Sequence, residues 1–141
     1  MPTTAFAADG STPAGITGTG TDIIGSGASD DPYLIYTAAG LKAFRDAVNG
    51  QNELTRQPGA HAKLMNDITL NDGTFDADGS WNKSGTPDEW EPIGWYTNPG
   101  NHASYSGTFD GQGFTIHGLY VTGKRLHAGL FGHAQNATIK T

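Results

Sequence analysis

Tyr105-Ser106-Gly107-Thr108-Phe109-Asp110-Gly111-Gln112-Gly113-Phe114-Thr115-Ile116-His117-Gly118-Leu119-Tyr120-Val121 carries the strongest pattern in the chain, because parts of it return. Gly107-Thr108-Phe109 comes back as Gly129-Leu130-Phe131, a step of 22 residues, and Phe114-Thr115-Ile116 as Ala137-Thr138-Ile139, a step of 23. Short strands recurring at such a period, with glycine between them, mark stacked coils, none of which buries its apolar face alone. Phe114 and Ile116 share one face by alternation. Leu119 and Val121 take up the apolar phase one residue late, a slip that in a flat strand would turn them to the opposite side. A corner at Gly118 returns them to the same interior and leaves Thr115, His117, Tyr120 and Thr122 outward. The pattern therefore predicts an all-β solenoid in which Phe109 stacks on Phe131 and Ile116 on Ile139. The competing arrangement is an antiparallel meander with Asp110-Gly111 as a hairpin turn.

Composition agrees with a turn-rich all-β chain. In 141 residues, one domain with a modest core by length, glycine is the commonest residue at 21. The net charge of −6 weighs against general nucleic-acid binding and against anionic membrane surfaces. Residues 1–100 hold 5 basic and 13 acidic side chains, residues 101–141 hold 3 and 1, a bias that reads as a solvated acidic surface. The absence of cysteine excludes a disulfide framework and a thiolate metal site. No apolar run approaches the roughly 20 residues of a membrane span. Ala5-Phe6-Ala7-Ala8-Asp9 resembles the small-residue end of a secretory signal peptide without the basic and apolar regions that precede one, Met1 standing as an added start.

Residues 1–28, rich in Thr, Gly, Ala and Ser, read as a flexible lead-in or the remnant of a secretion signal, with Ile23-Ile24 as a short first strand. Ordered structure is expected over 29–141. Tyr33-Leu34-Ile35-Tyr36 forms a strand, and Thr37 is the N-cap of a helix over about 38–49. That helix is amphipathic: Leu41, Phe44, Ala47 and Val48 make one stripe, Gly50 the stop, and Lys42 and Arg45 the wet face. Such a helix suits the open end of a coil stack, where it would cap exposed strands. Ala62 to Leu70 continues in strand, and a long loop runs over about 71–101. Loops of that length are functional or disordered. This one holds all three tryptophans, so it is expected to fold down, with Trp90 and Trp95 in the core and Trp81 exposed.

Glu89-Trp90-Glu91-Pro92-Ile93-Gly94, then Tyr105 to Ile116, then Gly129-Leu130-Phe131-Gly132, resemble the GLUG-motif repeat proteins, bacterial surface and secreted proteins that include adhesins and stalks attached to immunoglobulin A peptidases. Asp31-Pro32-Tyr33-Leu34-Ile35 with the helix behind it is similar to the lead-in of such repeats. The likeness covers about residues 25–141 and implies a right-handed parallel β-helix of the pectin-lyase type, here of about three coils over 105–141 with an N-terminal capping helix. Its motifs speak for architecture and little for activity. Ala137-Thr138-Ile139-Lys140-Thr141 reads as a strand awaiting another coil, so a longer parent protein, or self-association through the open C-terminal coil, is expected.

No catalytic constellation emerges. Asp30-Asp31 are the only adjacent aspartates, Arg45, Arg56 and Arg125 converge on no groove, and neither a Gly-x-Ser-x-Gly elbow nor a His-Glu-x-x-His pair occurs. Asp72, Asp76 and Asp78, with Gly79, resemble a calcium loop, but a loop counted from Thr74 places Gly85 where a glutamate is required. They are weak calcium candidates, and no other cofactor is expected. His61, His102, His117, His127 and His133 read as surface residues. Trp81, Tyr96 and Tyr105 are the candidate ligand residues, an aromatic platform for sugar rings. The function these readings support is a non-catalytic, extracellular or cell-surface segment serving adhesion, display or stalk roles. A carbohydrate-binding or carbohydrate-active module is the alternative. The partner in either case is a host or bacterial surface glycan or a protein.

Overall fold

A two-residue strand, β1 (Ile23–Ile24), opens the computed structural model, which describes residues 23–123 and 126–141. Most of the lead-in expected over 1–28, and Arg125, lie outside the described residues. β1 pairs antiparallel with β2 (Tyr33–Ile35), Ile23 opposite Ile35. Thr37 then caps α1 (Ala38–Asn49): its side chain accepts from Gly40 N at 3.0 Å, satisfying a donor of the first turn. Gly50 ends the helix in the left-handed conformation, φ 72°, its N–H donating to Asp46 O. β3 (Ala62–Leu64) and β4 (Ile68–Thr69) follow. After them come the hairpin of β5 (Trp95–Asn98) and β6 (Asn101–Ala103), then β7 (Thr108–Asp110), β8 (Ile116–His117) and β9 (Thr138–Lys140).

These elements make a mixed α/β fold. One sheet of five strands runs β1-β2-β3-β7-β9, parallel throughout except at its β1 edge. β4 and β8 form a second, parallel pair, and β5 and β6 an antiparallel one. The all-β reading, a right-handed parallel β-helix of about three coils, is corrected by this topology. Its premise was an even step of 22 or 23 residues. The parallel partners in the main sheet are Tyr33 and Ala62, Ala62 and Phe109, and Phe109 and Ile139, separations of 29, 47 and 30 residues. α1 and the segment after β4 are spliced between strands, so no constant repeat survives. Gly129-Leu130-Phe131 is accordingly not the ladder partner of Gly107-Thr108-Phe109: Phe131 bridges to Ile93, and Ile116 pairs with Ile68 rather than Ile139. The Phe109 and Phe131 rings still meet edge to face at 5.3 Å. The meander fails too, because β7 has parallel partners on both sides.

The core gathers around Phe44. Its ring is fully buried and meets Tyr33 at 6.3 Å, Tyr105 at 5.9 Å and Phe109 at 5.8 Å. α1 therefore covers the face of the main sheet from β2 to β7, and is not a lid on the end of a stack. Arg45, expected in water, is largely covered: its guanidinium pairs with Asp46 at 2.7 Å and lies 5.0 Å from the Trp90 ring centroid. Asp46 also accepts from Asn52 Nδ2 at 2.7 Å. Buried Asn49 ties the helix to the hairpin, donating to Pro92 O at 3.0 Å and accepting from Gly94 N at 2.8 Å.

The segment expected as a long loop is folded down, as its tryptophans suggest, though unevenly. Trp90 is buried, with its backbone N–H on Tyr120 O and its indole N–H on Leu130 O. Trp95 is half-buried. Gly118 does bend the chain, with φ 77° and a Cβ position 2.0 Å from Asn71 O where no side chain fits, but the bend does not return Leu119 to a shared interior. Phe114 and Leu119, expected inside, are 40% and 41% exposed.

Candidate functional site

The turn after β4 builds a cleft. Phe75 and Trp81 face each other across a bridge closed by Asp76 N on Ser80 O and Gly79 N on Asp76 O. The Asn82 side chain clamps the next layer out, bonding Thr74 N at 2.9 Å and Thr74 Oγ1 at 2.8 Å. Trp81 is thereby laid against Phe75, ring centroids 5.2 Å apart, and Phe75 against Tyr120 at 5.6 Å. The far edge of the indole lies over Gly73, where a Cβ would come within 2.5 Å of Cζ2.

Trp81 forms one wall of an open cleft of about 380 Å³, whose other walls include Asn71, Asp72, Lys83, Thr86 and Asp88. Asn71 is its fixed point: its side chain bonds Asp88 N and O at 2.8 and 3.0 Å and Gly118 O at 2.8 Å. The charged groups are held loosely. Lys83 pairs with Asp72 at 3.8 Å and Lys42 with Asp88 at 3.6 Å, all well exposed. Pairs of this kind are worth about 0–1 kcal/mol, so a ligand can displace them at little cost. The cleft is thus mainly polar, with hydroxyl, ammonium and carboxylate groups around a half-buried indole.

The three candidate ligand residues do not share a platform. Trp81 is half-buried at the cleft. Tyr96, also half-buried, sits on β5 among His102, His127 and His133, at ring separations of 5.8, 5.7 and 5.1 Å. Tyr105 is fully buried in the core, its hydroxyl donating to Ala60 O at 2.9 Å, and burial pushes its phenol well above the ordinary range. The calcium candidates do not converge either. Asp72 faces Lys83, whereas Asp78 accepts from Ser80 Oγ at 2.6 Å and Ser80 N at 2.9 Å, which lowers its pKa. Among the described residues no three His, Cys, Asp or Glu side chains stand ready to hold one ion.

The grouping of three histidines around Tyr96 is what sequence reasoning missed. His127 and His133 flank one turn of the chain, but His102 joins them only because β6 pairs with β5.

Comparison with protein-family models, curated proteins and solved structures finds no match. The likeness to GLUG-motif proteins therefore rests on the quoted residues alone. Among the described residues no helix is long and apolar enough to cross a membrane.

Proposed function

We propose that this chain is a non-catalytic binding module of the extracellular or cell-surface kind, which adheres through a glycan held in the Trp81 cleft. The observation that carries the reading is the cleft itself: a half-buried indole, held by Phe75 and Gly73, at the side of a mainly polar cleft bordered by Lys83, Thr86 and Asp88. A sugar ring presents an apolar face of C–H groups and a rim of hydroxyls. An aromatic plane takes the first, and side chains that both donate and accept take the second. The openness of the cleft suits an oligosaccharide on a surface better than a small molecule that must be enclosed. Adhesion or display is also the role of the GLUG-motif proteins that the chain resembles.

The experiment is a glycan array on the whole chain, followed by titration of the best binder with the parent and with Trp81→Ala. A loss of at least about tenfold in affinity, roughly 1.4 kcal/mol, at an unchanged melting temperature is expected. Absence of any glycan binder, or equal binding by Trp81→Ala, overturns the reading.

A second copy of the chain is the further partner we propose. Among the described residues β9 is last in the order of the main sheet, all three of its residues are exposed, and Ile139 is 50% exposed. An exposed strand that carries an apolar side chain at the end of a sheet favours strand-to-strand pairing.

A further inference from the structure

Asn49-Gly50 is the only Asn-Gly pair in the chain. A glycine has no Cβ to hinder its backbone nitrogen from reaching the amide carbon of the asparagine before it. The reaction this permits is internal. Gly50 N gives up its proton to water and attacks Asn49 Cγ. The new C–N bond forms as the bond from Cγ to Nδ2 breaks, and the departing nitrogen takes a proton from water to leave as ammonia. Water then opens the cyclic imide at either carbonyl, leaving aspartate or isoaspartate at position 49.

The folded chain engages every reacting group. Gly50 N–H donates to Asp46 O as the left-handed cap of α1. Asn49 Nδ2 donates to Pro92 O at 3.0 Å, Asn49 Oδ1 accepts from Gly94 N at 2.8 Å, and the residue is buried. The amide is thus pinned to the segment before β5, while the nitrogen that would attack it is turned back along the helix. Gly50 itself is exposed, so geometry and not the exclusion of water withholds the reaction. The pair is also built in. Position 50 has φ 72° and a Cβ there would stand 2.9 Å from Arg56 Cβ, which demands glycine.

Neither product fits this place. An aspartate at 49 only accepts, so one of its oxygens would face Pro92 O with no proton between them. Its charge would lie buried at the C-terminal end of α1, where the helix dipole is negative and the last turn holds no basic residue. Isoaspartate adds a carbon to the main chain and shifts Gly50 N–H off Asp46 O.

We propose that Asn49 is a modification site closed by the fold and opened by unfolding. A chain that stays unfolded is converted there to aspartate or isoaspartate and no longer regains the native join of α1 to the hairpin. The site shares no residue with the Trp81 cleft and stands or falls without the glycan reading.

The test holds the whole chain at about pH 8, folded or unfolded in guanidinium chloride, and follows each asparagine by peptide mapping with mass spectrometry. Asn49 should convert at least about tenfold more slowly in the folded chain, the factor set by rare opening of the helix end. In the unfolded chain it should convert before every other asparagine. Gly50→Ala, followed only in denaturant where its misfit to the fold has no bearing, should slow that conversion at least about fivefold. On dilution from denaturant, chains modified at 49 should collect in the fraction that fails to refold or that melts below the parent. Asn49→Asp, which supplies one product directly, should behave like that fraction. Equal conversion of Asn49 in folded and unfolded chains, or modified chains that refold with the melting temperature of the parent, overturns the proposal.

Discussion

Tyr105 shows how one residue can read as a binding group and serve as core. An aromatic beside a glycine-rich segment is what a sugar platform would offer, yet its ring packs between Phe44 and Phe131 and its hydroxyl spends its hydrogen bond on Ala60 O. Burial away from water raises its pKa, and Tyr33 and Tyr36 are shifted in the same direction for the same reason. The sign of the consequence follows from proton counting. Below pH about 10 both folded and unfolded tyrosines are protonated and stability is unaffected. Above it the unfolded chain releases protons that the folded chain retains, so stability falls as pH rises. Denaturation followed from pH 8 to 11 should show a loss of stability setting in near pH 10, and Tyr105→Phe, though weaker at pH 8 by the lost hydrogen bond, should decline less steeply. Parallel curves for the two proteins would mean that Tyr105 ionises in the folded state. Arg45 gives the converse lesson. A cation at a helical position expected to face water is instead largely covered, and it serves Asp46 and the face of Trp90 together.

At the scale of elements, α1 does more than its amphipathic stripe announces. Phe44 touches rings from β2, from β7 and from Tyr105 between them, while Asn49 fastens the base of the β5–β6 hairpin. Truncating Phe44 to Ala should cost about 3–5 kcal/mol, the range for a fully buried phenylalanine. Phe131, which the sequence repeat singles out, is only partly buried. Phe131→Ala should therefore cost less, about half as much, because transfer and cavity terms both scale with what was covered. Chemical denaturation of both variants decides the order, and a larger loss for Phe131→Ala would remove α1 from the centre of the fold.

For the molecule as a whole, cover is uneven. The fully buried side chains lie mainly in β1 to β3, α1 and the Trp90 to Phe109 segment, whereas Phe114, Leu119 and Ile139 are left 40–50% exposed beyond β7. Exposed apolar side chains, one of them on the last strand of the main sheet, invite association. Sedimentation of the parent at rising concentration should show a concentration-dependent dimer, and Ile139→Lys, which places a charge on that edge, should hold the chain monomeric with little change in melting temperature. A parent that stays monomeric at millimolar concentration would exclude the second copy as partner.

The sequence by itself determined the features set by a few neighbouring residues. The bounds of α1 were legible from Thr37 and Gly50, because a cap is a hydrogen bond or a left-handed turn within four residues of the helix end. A bend at Gly118 was legible from the slip in apolar phase there, and its φ of 77° agrees, although Leu119 beyond it stays 41% exposed. Descent of Trp90 into the core followed from the cost of leaving a tryptophan in water. Which strand lies beside which was decided only by the tertiary structure. Two Gly-x-Phe triplets look alike locally, but partners 29 to 48 residues apart are selected by how α1 and the folded-down tryptophan segment fill the space between them. The same holds for the sites. Trp81 becomes a wall only when Phe75 and Gly73 meet it, and the three histidines gather only when β5 and β6 pair and His133 is bonded beside Tyr105. Such meetings are fixed by packing and hydrogen bonding over the whole chain, and sequence spacing carries no record of them.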